Sequence, residues 1–428
     1  MTIRALVFWT LDFLRGGTVR KYCKEILDYL ENNQGENEKQ LEHILSYSVR
    51  NVEFYKKYKG FTKLQDFPVI NKMTLRDHEN DFLAPQYDKT KLYVEETSGS
   101  TGTPLRVYQD PVKRKRATAD TIVFSKIVGY DLGTRLYYSR VWNNRNRKTL
   151  IEAKKQNIIM HESANLSDDD LQKFIDQLES DTSKKSVLIF ASTLSALYQY
   201  MVVNHISTTA RVEVFITISE SLALEVRHGI ERIFNSKVVS RYSDSECGIL
   251  SQQCINEDEF HINKGSFYIE LLQLDNDEPV VEGEVGRIVV TDLYNHAMPL
   301  IRYDTGDLGI LSHQPRCKHG SKVFTRVDGR RIDSVLSTSG DILSPYIIIN
   351  TFWKYTELKQ YQFIQNSEKN YELKLNQMEG ALVREREILD DIKTYVGYDA
   401  DITVTYVDEI PSLSSGKRKQ VINNYKKV

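Results

Sequence analysis

The ten residues at 95–104 read Glu95-Glu96-Thr97-Ser98-Gly99-Ser100-Thr101-Gly102-Thr103-Pro104, and an apolar, strand-like Leu92-Tyr93-Val94 precedes them. Glycine lets a backbone turn its N–H groups towards an anion at close range, and Ser and Thr hydroxyls add donors that need no counter-charge. The stretch therefore predicts a loop that holds phosphate, and with it a nucleotide. Because the Gly-Lys-Ser/Thr ending of a P-loop is missing, an ordinary P-loop NTPase is not indicated.

Length and charge limit the remaining possibilities. A chain of 428 residues is too long for one ordinary core, so we expect at least two domains. The formal net charge of -2 gives no electrostatic argument for nucleic acid or for an anionic membrane surface. The apolar segment 5–14 is short and contains Asp12, which predicts a packed or surface-lying helix and no membrane insertion. Four cysteines are too few for a disulfide scaffold, so we expect a cytoplasmic protein.

Hydrophobic periodicity predicts an α/β fold. Helical spacing between Gly16 and about Arg50 predicts two or three helices. Beyond that region, apolar strand-like runs alternate with amphipathic helical runs, which predicts α/β layering with buried parallel strands. The strand-like runs are 187–191, 212–218 and 237–242, and the helical runs are 167–178 and 223–234.

The last third of the chain differs in character. Short alternating strands with turn signals follow about Gly265 and predict a β-rich subdomain. Past Gly329 we expect a helix after Leu343-Ser344-Pro345, a strand over 371–375, a helix from Gly380 to about Val396 and a strand over 401–406. The prediction is a large N-terminal domain at 1–329 and a small mobile α+β domain at 330–428.

Further polar boxes follow the first loop in a fixed order. They are Tyr242-Ser243-Asp244-Ser245-Glu246, Pro299-Leu300-Ile301-Arg302-Tyr303-Asp304-Thr305-Gly306-Asp307, Gly329-Arg330-Arg331-Ile332-Asp333 and Pro411-Ser412-Leu413-Ser414-Ser415-Gly416-Lys417. The first box presents an aromatic ring four residues before a carboxylate, and the second ends in a predicted turn that offers Asp307. Taken singly, these are also ordinary turn-capping carboxylates, core aromatics and basic tails. Their co-occurrence in this order is what indicates a site.

In this order and spacing the chain resembles the adenylate-forming superfamily, which includes acyl-CoA ligases and adenylation domains. Within it the chain looks most like the phenylacetate-CoA ligase family and its capsule-biosynthesis relatives. The lead-in Phe67-Pro68-Val69-Ile70-Asn71-Lys72, the Thr-Ser-Gly-Ser-Thr-Gly-Thr-Pro loop and the Pro-Leu-Ile-Arg-Tyr-x-Thr-Gly-Asp box all point there. The resemblance covers roughly residue 40 to the end.

The resemblance implies a role for each box. Thr97 to Thr103 would embrace the ATP phosphates, Tyr242 and Ser243 would lie at the adenine with Ser219 and Glu220, and Asp307 would grip both ribose hydroxyls. Glu246 would hold Mg²⁺. The resemblance makes Arg331 the nucleotide-contacting arginine, with Arg330 as the alternative, and Asp333 the hinge. Lys417 would reach the α-phosphate and the substrate carboxylate.

The chain departs from the family pattern at four places. Ser243 and Ser219 stand where glycine is usual, Ser334 where a second acidic residue is common, and Leu413 where threonine is usual. None of these departures removes a charged group that the chemistry needs.

A second cluster is formed by Cys254, His261, Cys317 and His319. Four nitrogen and sulfur donors can close a tetrahedral, structural Zn²⁺ site. Cys247 is an alternative ligand. Free buried cysteines with surface histidines are the other interpretation of the same pattern.

The resemblance implies a two-step reaction. A small carboxylic acid and ATP would give an acyl-adenylate and pyrophosphate, and the thiol of CoA would then displace AMP while the C-terminal domain rotates about Asp333. An amine, a sugar or a carrier protein is the alternative acceptor, and a catalytically inactive nucleotide-binding relative is the remaining alternative. By the same analogy a homodimer is possible.

Overall fold

The computed structural model describes residues 2–31, 37–96, 105–142, 146–163, 167–317, 322–330, 334–343, 345–352, 354–355, 357–411 and 419–425. The helices are α1 (Ile3–Leu14), α2 (Thr18–Glu31), α3 (Glu38–Asn51), α4 (Lys72–Asp77), α5 (Pro111–Lys126), α6 (Leu150–Gln156), α7 (Asp168–Ser180), α8 (Ala191–Val203), α9 (Leu224–Phe234), α10 (Pro345–Phe352) and α11 (Glu385–Val396). Short 3₁₀ turns occupy Glu53–Tyr58, Leu64–Asp66 and Lys89–Lys91.

The strands are β1 (Tyr93–Glu96), β2 (Arg106–Gln109), β3 (Arg135–Arg140), β4 (Ile158–Glu162), β5 (Lys185–Phe190), β6 (Val214–Ile218), β7 (Lys237–Asp244), β8 (Gly248–Gln253), β9 (Phe260–Ile262), β10 (Phe267–Leu272), β11 (Val285–Asp292), β12 (Tyr303–Ser312), β13 (Val323–Arg330), β14 (Val335–Leu336), β15 (Ile342–Leu343), β16 (Leu358–Gln365), β17 (Asn370–Gln377), β18 (Asp401–Tyr406) and β19 (Val421–Asn423).

The chain forms two compact units, one made of Met1–Gly133 and Arg241–Val327 and the other of Thr134–Ser240 and Asp328–Val428. In the first unit the strands lie in the order β10-β11-β12-β13-β9-β8-β7, and the pairings of β10 with β11, β11 with β12, and β7 with β8 are antiparallel. One face packs on a core of fully buried side chains that includes Phe67, Ile70 and Tyr303. The β-rich part expected beyond Gly265 is therefore present.

The second unit contains the predicted parallel sheet. Its strands lie in the order β7-β6-β5-β3-β4, and every neighbouring pair is parallel. Helix α7 begins at a capping box in which Ser167 and Asp170 satisfy each other's backbone N–H groups. Side chains of α7, α8 and α9 fill the core on this sheet. The α/β layering inferred from periodicity is confirmed.

Residues 335–424 have a core of their own within the second unit. The four-stranded sheet β18-β17-β16-β19 packs with α10 and α11 around Phe363, Leu373 and Ile392. The expected helix start at Gly380 is wrong, because Gly380 has φ +72°, which an α-helix does not accept, and α11 begins at Glu385. The boundary at 329/330 and the mobility of the C-terminal domain stay predictions.

Among the described helices, none is long and apolar enough to cross a bilayer.

Candidate active site

The lead-in segment 67–72 is fixed to strand β12 by backbone pairing. The Ile70 N–H donates to the Arg302 carbonyl at 3.0 Å, and the Asp304 N–H donates to the Ile70 carbonyl at 2.8 Å. The side chain of Asn71 then accepts from the N–H groups of Met73 and Thr74 and so caps α4. Lys72 consequently becomes the first residue of α4, close to the start of β12.

Glu246 is a buried carboxylate with two donors on one oxygen. Its Oε1 accepts from the Tyr303 hydroxyl at 2.8 Å and lies 2.9 Å from the Lys72 Nζ. A carboxylate that is 2 % exposed needs such compensation, because an unpaired buried charge is costly. A buried, oriented carboxylate oxygen is also the ligand type that Mg²⁺ takes beside substrate phosphates. Glu246 therefore fits its expected metal role.

The turn that carries Glu246 is closed by Asp244. Its Oδ1 accepts from the N–H groups of Cys247 at 2.6 Å and Gly248 at 3.2 Å. Burial, followed by the charge of Glu246, raises the pKa of Asp244 to about 7, and Asp307 adds to the rise. Asp244 thus lies within electrostatic reach of both other carboxyl groups. The three groups form an acidic cluster near the end of strand β7.

Tyr242 and Asp307 are in direct contact. The Tyr242 hydroxyl donates to the Asp307 Oδ2 at 2.9 Å and lies 3.3 Å from the Thr305 Oγ1, which in turn accepts from the Asp307 N–H. Burial and the Asp307 charge raise the pKa of Tyr242 well above its usual value. The aromatic ring and the carboxylate assigned to adenine and ribose are thus brought together.

One sequence expectation at this site is confirmed and one is corrected. Tyr242 lies within β7, as the strand-like run 237–242 predicted, whereas Asp307 lies within β12 and not in the predicted turn. The turn-like composition of 304–307 is accommodated in the strand because Gly306 adopts φ +80°. Ser243 stands in place of glycine without backbone strain, since its φ is not positive. The β7–β8 pairing shifts register between Tyr242 and Ser243, as at a β-bulge.

Ser219 and Glu220 belong to the second unit, directly after β6. Ser219 adopts φ +73°, the left-handed conformation that glycine takes without cost, which is consistent with the usual glycine at this position. The Glu220 carboxylate accepts from the Ser192 N–H at 3.0 Å, in the first turn of α8. A negative side chain is favourable at a helix N-terminus.

Several predicted site residues lie outside the described residues. These are the phosphate loop at 97–104, Arg331, Asp333, His319 and Lys417. Their roles stay predictions.

Three of the four expected zinc ligands form a cluster in the first unit. The sulfurs of Cys254 and Cys317 are 3.1 Å apart, and the Cys317 sulfur lies 3.5 Å from the His261 Nε2. All three ligand atoms lie within 4.8 Å of one another, a spacing compatible with a shared tetrahedral Zn²⁺. Burial raises the pKa of Cys254, but hydrogen bonds from His261 and the Asn256 N–H outweigh it and lower the pKa to about 6.

Cys247, the alternative ligand, is not part of this cluster. Its side chain is buried in the core of the first unit, and burial raises its pKa well above the usual value. The donor set Cys254, His261 and Cys317 fits zinc, and the fourth ligand stays a prediction.

Sequence reasoning assigned no role to Lys72, Tyr303 or Asp244. All three stand inside quoted boxes, at 67–72, 299–307 and 242–246. Their position inside those boxes was the sequence signal that could have identified them as site residues. Only the pairing of Ile70 with Tyr303 of β12 shows that the boxes at 67–72 and 299–307 meet at Glu246.

Comparison with known proteins agrees with this arrangement. Residues 335–424 match the family model described as the CapK C-terminal domain. The chain is 23 % identical to Protein CapK of Staphylococcus aureus, over 97 % of this chain and 95 % of that protein. It is 26 % identical to a phenylacetate-coenzyme A ligase of Thermus thermophilus, over 65 % of each chain.

The fold is also that of a solved ligase. The crystal structure of 2-hydroxyisobutyryl-CoA ligase in the postadenylation state has a TM-score of 0.70 at 17 % identity, covering 90 % of this chain and 88 % of that one. The chain is thus a homologue of CapK and of the phenylacetate-CoA ligases, with the fold of the adenylate-forming ligases and a CapK-type C-terminal domain.

Proposed function

We propose that the chain is an AMP-forming acid–thiol ligase, which activates a small carboxylic acid with ATP and Mg²⁺ and passes the acyl group to CoA. The observation that carries the proposal is the direct contact of Tyr242 with Asp307, beside a Glu246 oriented by Tyr303 and Lys72. A magnesium nucleotide needs an aromatic face for its base, a carboxylate acceptor for its ribose and a buried carboxylate for its metal ion. The likeness to ligases in fold and sequence supports the same activity.

The proposed first step forms a mixed anhydride. An oxygen of the substrate carboxylate attacks the α-phosphorus of ATP, the bond to the β-phosphate oxygen breaks, and pyrophosphate leaves. Asp307 accepts both ribose hydroxyls, which a carboxylate can do with two oxygens. Tyr242 offers a ring face to adenine. Mg²⁺ held by Glu246 would neutralise phosphate charge.

The second step consumes the adenylate. The CoA sulfur attacks the acyl carbon, the bond to the AMP oxygen breaks, and a thioester and AMP result. The chain contributes position and charge rather than a covalent intermediate. The same proposal includes a role for Lys417 in the first step, rotation about Asp333 between the steps and phosphate binding by the loop at 97–104. It also includes a structural zinc ion and a cytoplasmic location.

A second candidate concerns the acceptor. The similarity to CapK extends over 97 % of the chain, whereas the similarity to the Thermus ligase extends over 65 %. This difference favours keeping an amine, a sugar or a carrier protein as the alternative acyl acceptor. An inactive nucleotide-binding relative is the third alternative.

A pyrophosphate-release screen over aryl, short-chain and amino acids, with and without CoA, tests the proposal. An AMP-forming acid–thiol ligase releases pyrophosphate with some acid and releases free AMP in quantity only when CoA is added. Free AMP without dependence on CoA favours the alternative acceptor. Tight ATP binding without pyrophosphate release over the whole panel favours the inactive relative.

A further inference from the structure

Helix α1 turns its apolar side to solvent. Ala5 is buried and Trp9 is half-buried against the rest of the first unit, so these residues hold the helix in place. Apart from Arg4 and Thr10, the exposed positions are apolar: Ile3 is 82 %, Phe13 74 % and Leu14 72 % exposed, and the remaining members are Leu6, Val7 and Leu11. A surface helix of a globular protein normally does the reverse.

The helix is anchored at both ends. At its start the Thr2 hydroxyl donates to the Leu132 carbonyl at 3.1 Å and accepts from the Ala5 N–H at 3.0 Å. At its end the Asp12 carboxylate accepts from the N–H groups of Val19 at 3.1 Å and Arg20 at 3.0 Å, which caps α2. The apolar face is therefore presented by a fixed helical hairpin.

Exposed cations accompany this face. Exposed basic residues lie at both ends of α1 and along the first turns of α2, and they are Arg4, Arg15, Arg20, Lys21 and Lys24. Between residues 2 and 24 Asp12 is the sole carboxylate in the sequence, and it is engaged in capping α2. Glu25, Asp28 and Glu31 follow in the later part of α2, and Glu25 pairs with the buried Arg116. The Arg20 guanidinium also lies 5.2 Å from the centre of the Trp9 ring. The net charge of -2 for the whole chain conceals this excess of positive charge over residues 2–24.

The size and charge of the face distinguish between partners. A stable protein–protein interface uses about 20–30 residues on each side, more than the six apolar side chains of α1 supply. Two copies of the face would also bring like charges together. A bilayer surface with anionic headgroups accepts both features, since apolar side chains enter the acyl boundary while Lys and Arg stay at the headgroups.

We propose that α1 docks the chain on the surface of an anionic lipid bilayer, with its apolar face in the acyl boundary and the accompanying cations at the headgroups. The helix lies in the interface and does not span it, since its 12 residues reach about 18 Å and a bilayer core is about 30 Å thick. The proposal is independent of which acyl acceptor the chain uses.

Co-sedimentation of the full chain with vesicles tests the proposal. Vesicles of phosphatidylglycerol and phosphatidylcholine in equal parts should bind the chain, binding should weaken with added salt, and vesicles of phosphatidylcholine alone should bind about tenfold less. The triple variant L6S/F13S/L14S should lower binding at least about tenfold. The variant R20E/K21E should abolish the preference for anionic vesicles.

The matched control is L150S/L382S, because those leucines are 84 % and 91 % exposed elsewhere on the surface. It should bind vesicles like the unchanged chain. All substituted side chains are exposed, and an unchanged thermal melt of each variant verifies the fold. The proposal is overturned if the unchanged chain stays in the supernatant with anionic vesicles, or if light scattering shows a dimer that L6S/F13S/L14S dissociates.

Discussion

The ammonium group of Lys72 lies 2.9 Å from the Oε1 of Glu246, the carboxylate to which we assign Mg²⁺. Lys72 is 35 % exposed whereas Glu246 is 2 % exposed, so the lysine can swing away while the carboxylate stays. Tyr303 remains as a neutral donor on the same oxygen. Lys72 therefore serves as a counter-ion that a divalent cation has to displace or tolerate.

Replacing Lys72 should change the magnesium requirement. The variant K72M removes a positive charge beside the metal ligand, so we expect the half-saturating Mg²⁺ concentration for acid-dependent pyrophosphate release to fall about three- to tenfold. The matched control is K89M, since Lys89 pairs with Glu79 at 3.2 Å and has the same 35 % exposure. An unchanged magnesium curve for K72M would mean that the metal does not meet Glu246.

Replacing Asp307 should weaken ribose recognition. The variant D307N keeps the shape but loses the charge and one acceptor, so we expect the KM for ATP to rise about tenfold or more. The preference for ATP over 2′-deoxy-ATP should shrink in the same variant. Y242F keeps the ring and loses the hydroxyl that donates to Asp307, so it should raise the KM less than D307N. An unaltered preference in D307N would place the ribose elsewhere.

The sulfur–nitrogen cluster should hold zinc. We expect about one zinc ion per chain by elemental analysis, because two cysteine sulfurs and an imidazole lie at ligand spacing. C254S should lose the metal and melt at a lower temperature. C247S serves as the control, since that cysteine is buried in the core, and it should retain zinc. Full zinc in C254S, or equal loss in both variants, would contradict the assigned ligands.

Ser219 should carry backbone strain. Its φ of +73° costs an L-residue about 1 kcal/mol relative to glycine, so S219G should raise the free energy of unfolding by about that amount. Urea denaturation measures the change. S207G is the control, because Ser207 is exposed and its φ is not positive, and it should bring no gain. Equal shifts in both variants would exclude strain at Ser219 as the cause.

Local patterns predicted the layered part of the fold well. The parallel strands β5 and β6 were recognisable because strands buried on both faces read as continuous apolar runs. Helix α7 was recognisable because Ser167 and Asp170 form a capping box. Strand β12 was missed, since Asp304-Thr305-Gly306-Asp307 has turn composition. The strand contains this stretch as a bulge, because the β11–β12 register shifts between Arg287 and Val289 opposite it.

The site was predictable in its residues but not in its contacts. The ordered boxes identified Tyr242, Glu246 and Asp307, yet no local signal tells that Lys72 meets Glu246. That contact depends on the pairing of Ile70 with Tyr303, which is separated from it by more than two hundred residues. Long-range pairing of this kind leaves no periodicity in the sequence.

Transfer of an oxygen isotope tests the central claim most directly. An acid accepted in the pyrophosphate screen is labelled with ¹⁸O in its carboxylate and converted with ATP and the acyl acceptor. If the carboxylate attacks the α-phosphorus, one labelled oxygen ends in the phosphate of AMP, which mass spectrometry detects. Label in inorganic phosphate with formation of ADP, or AMP without label, would contradict an acyl-adenylate.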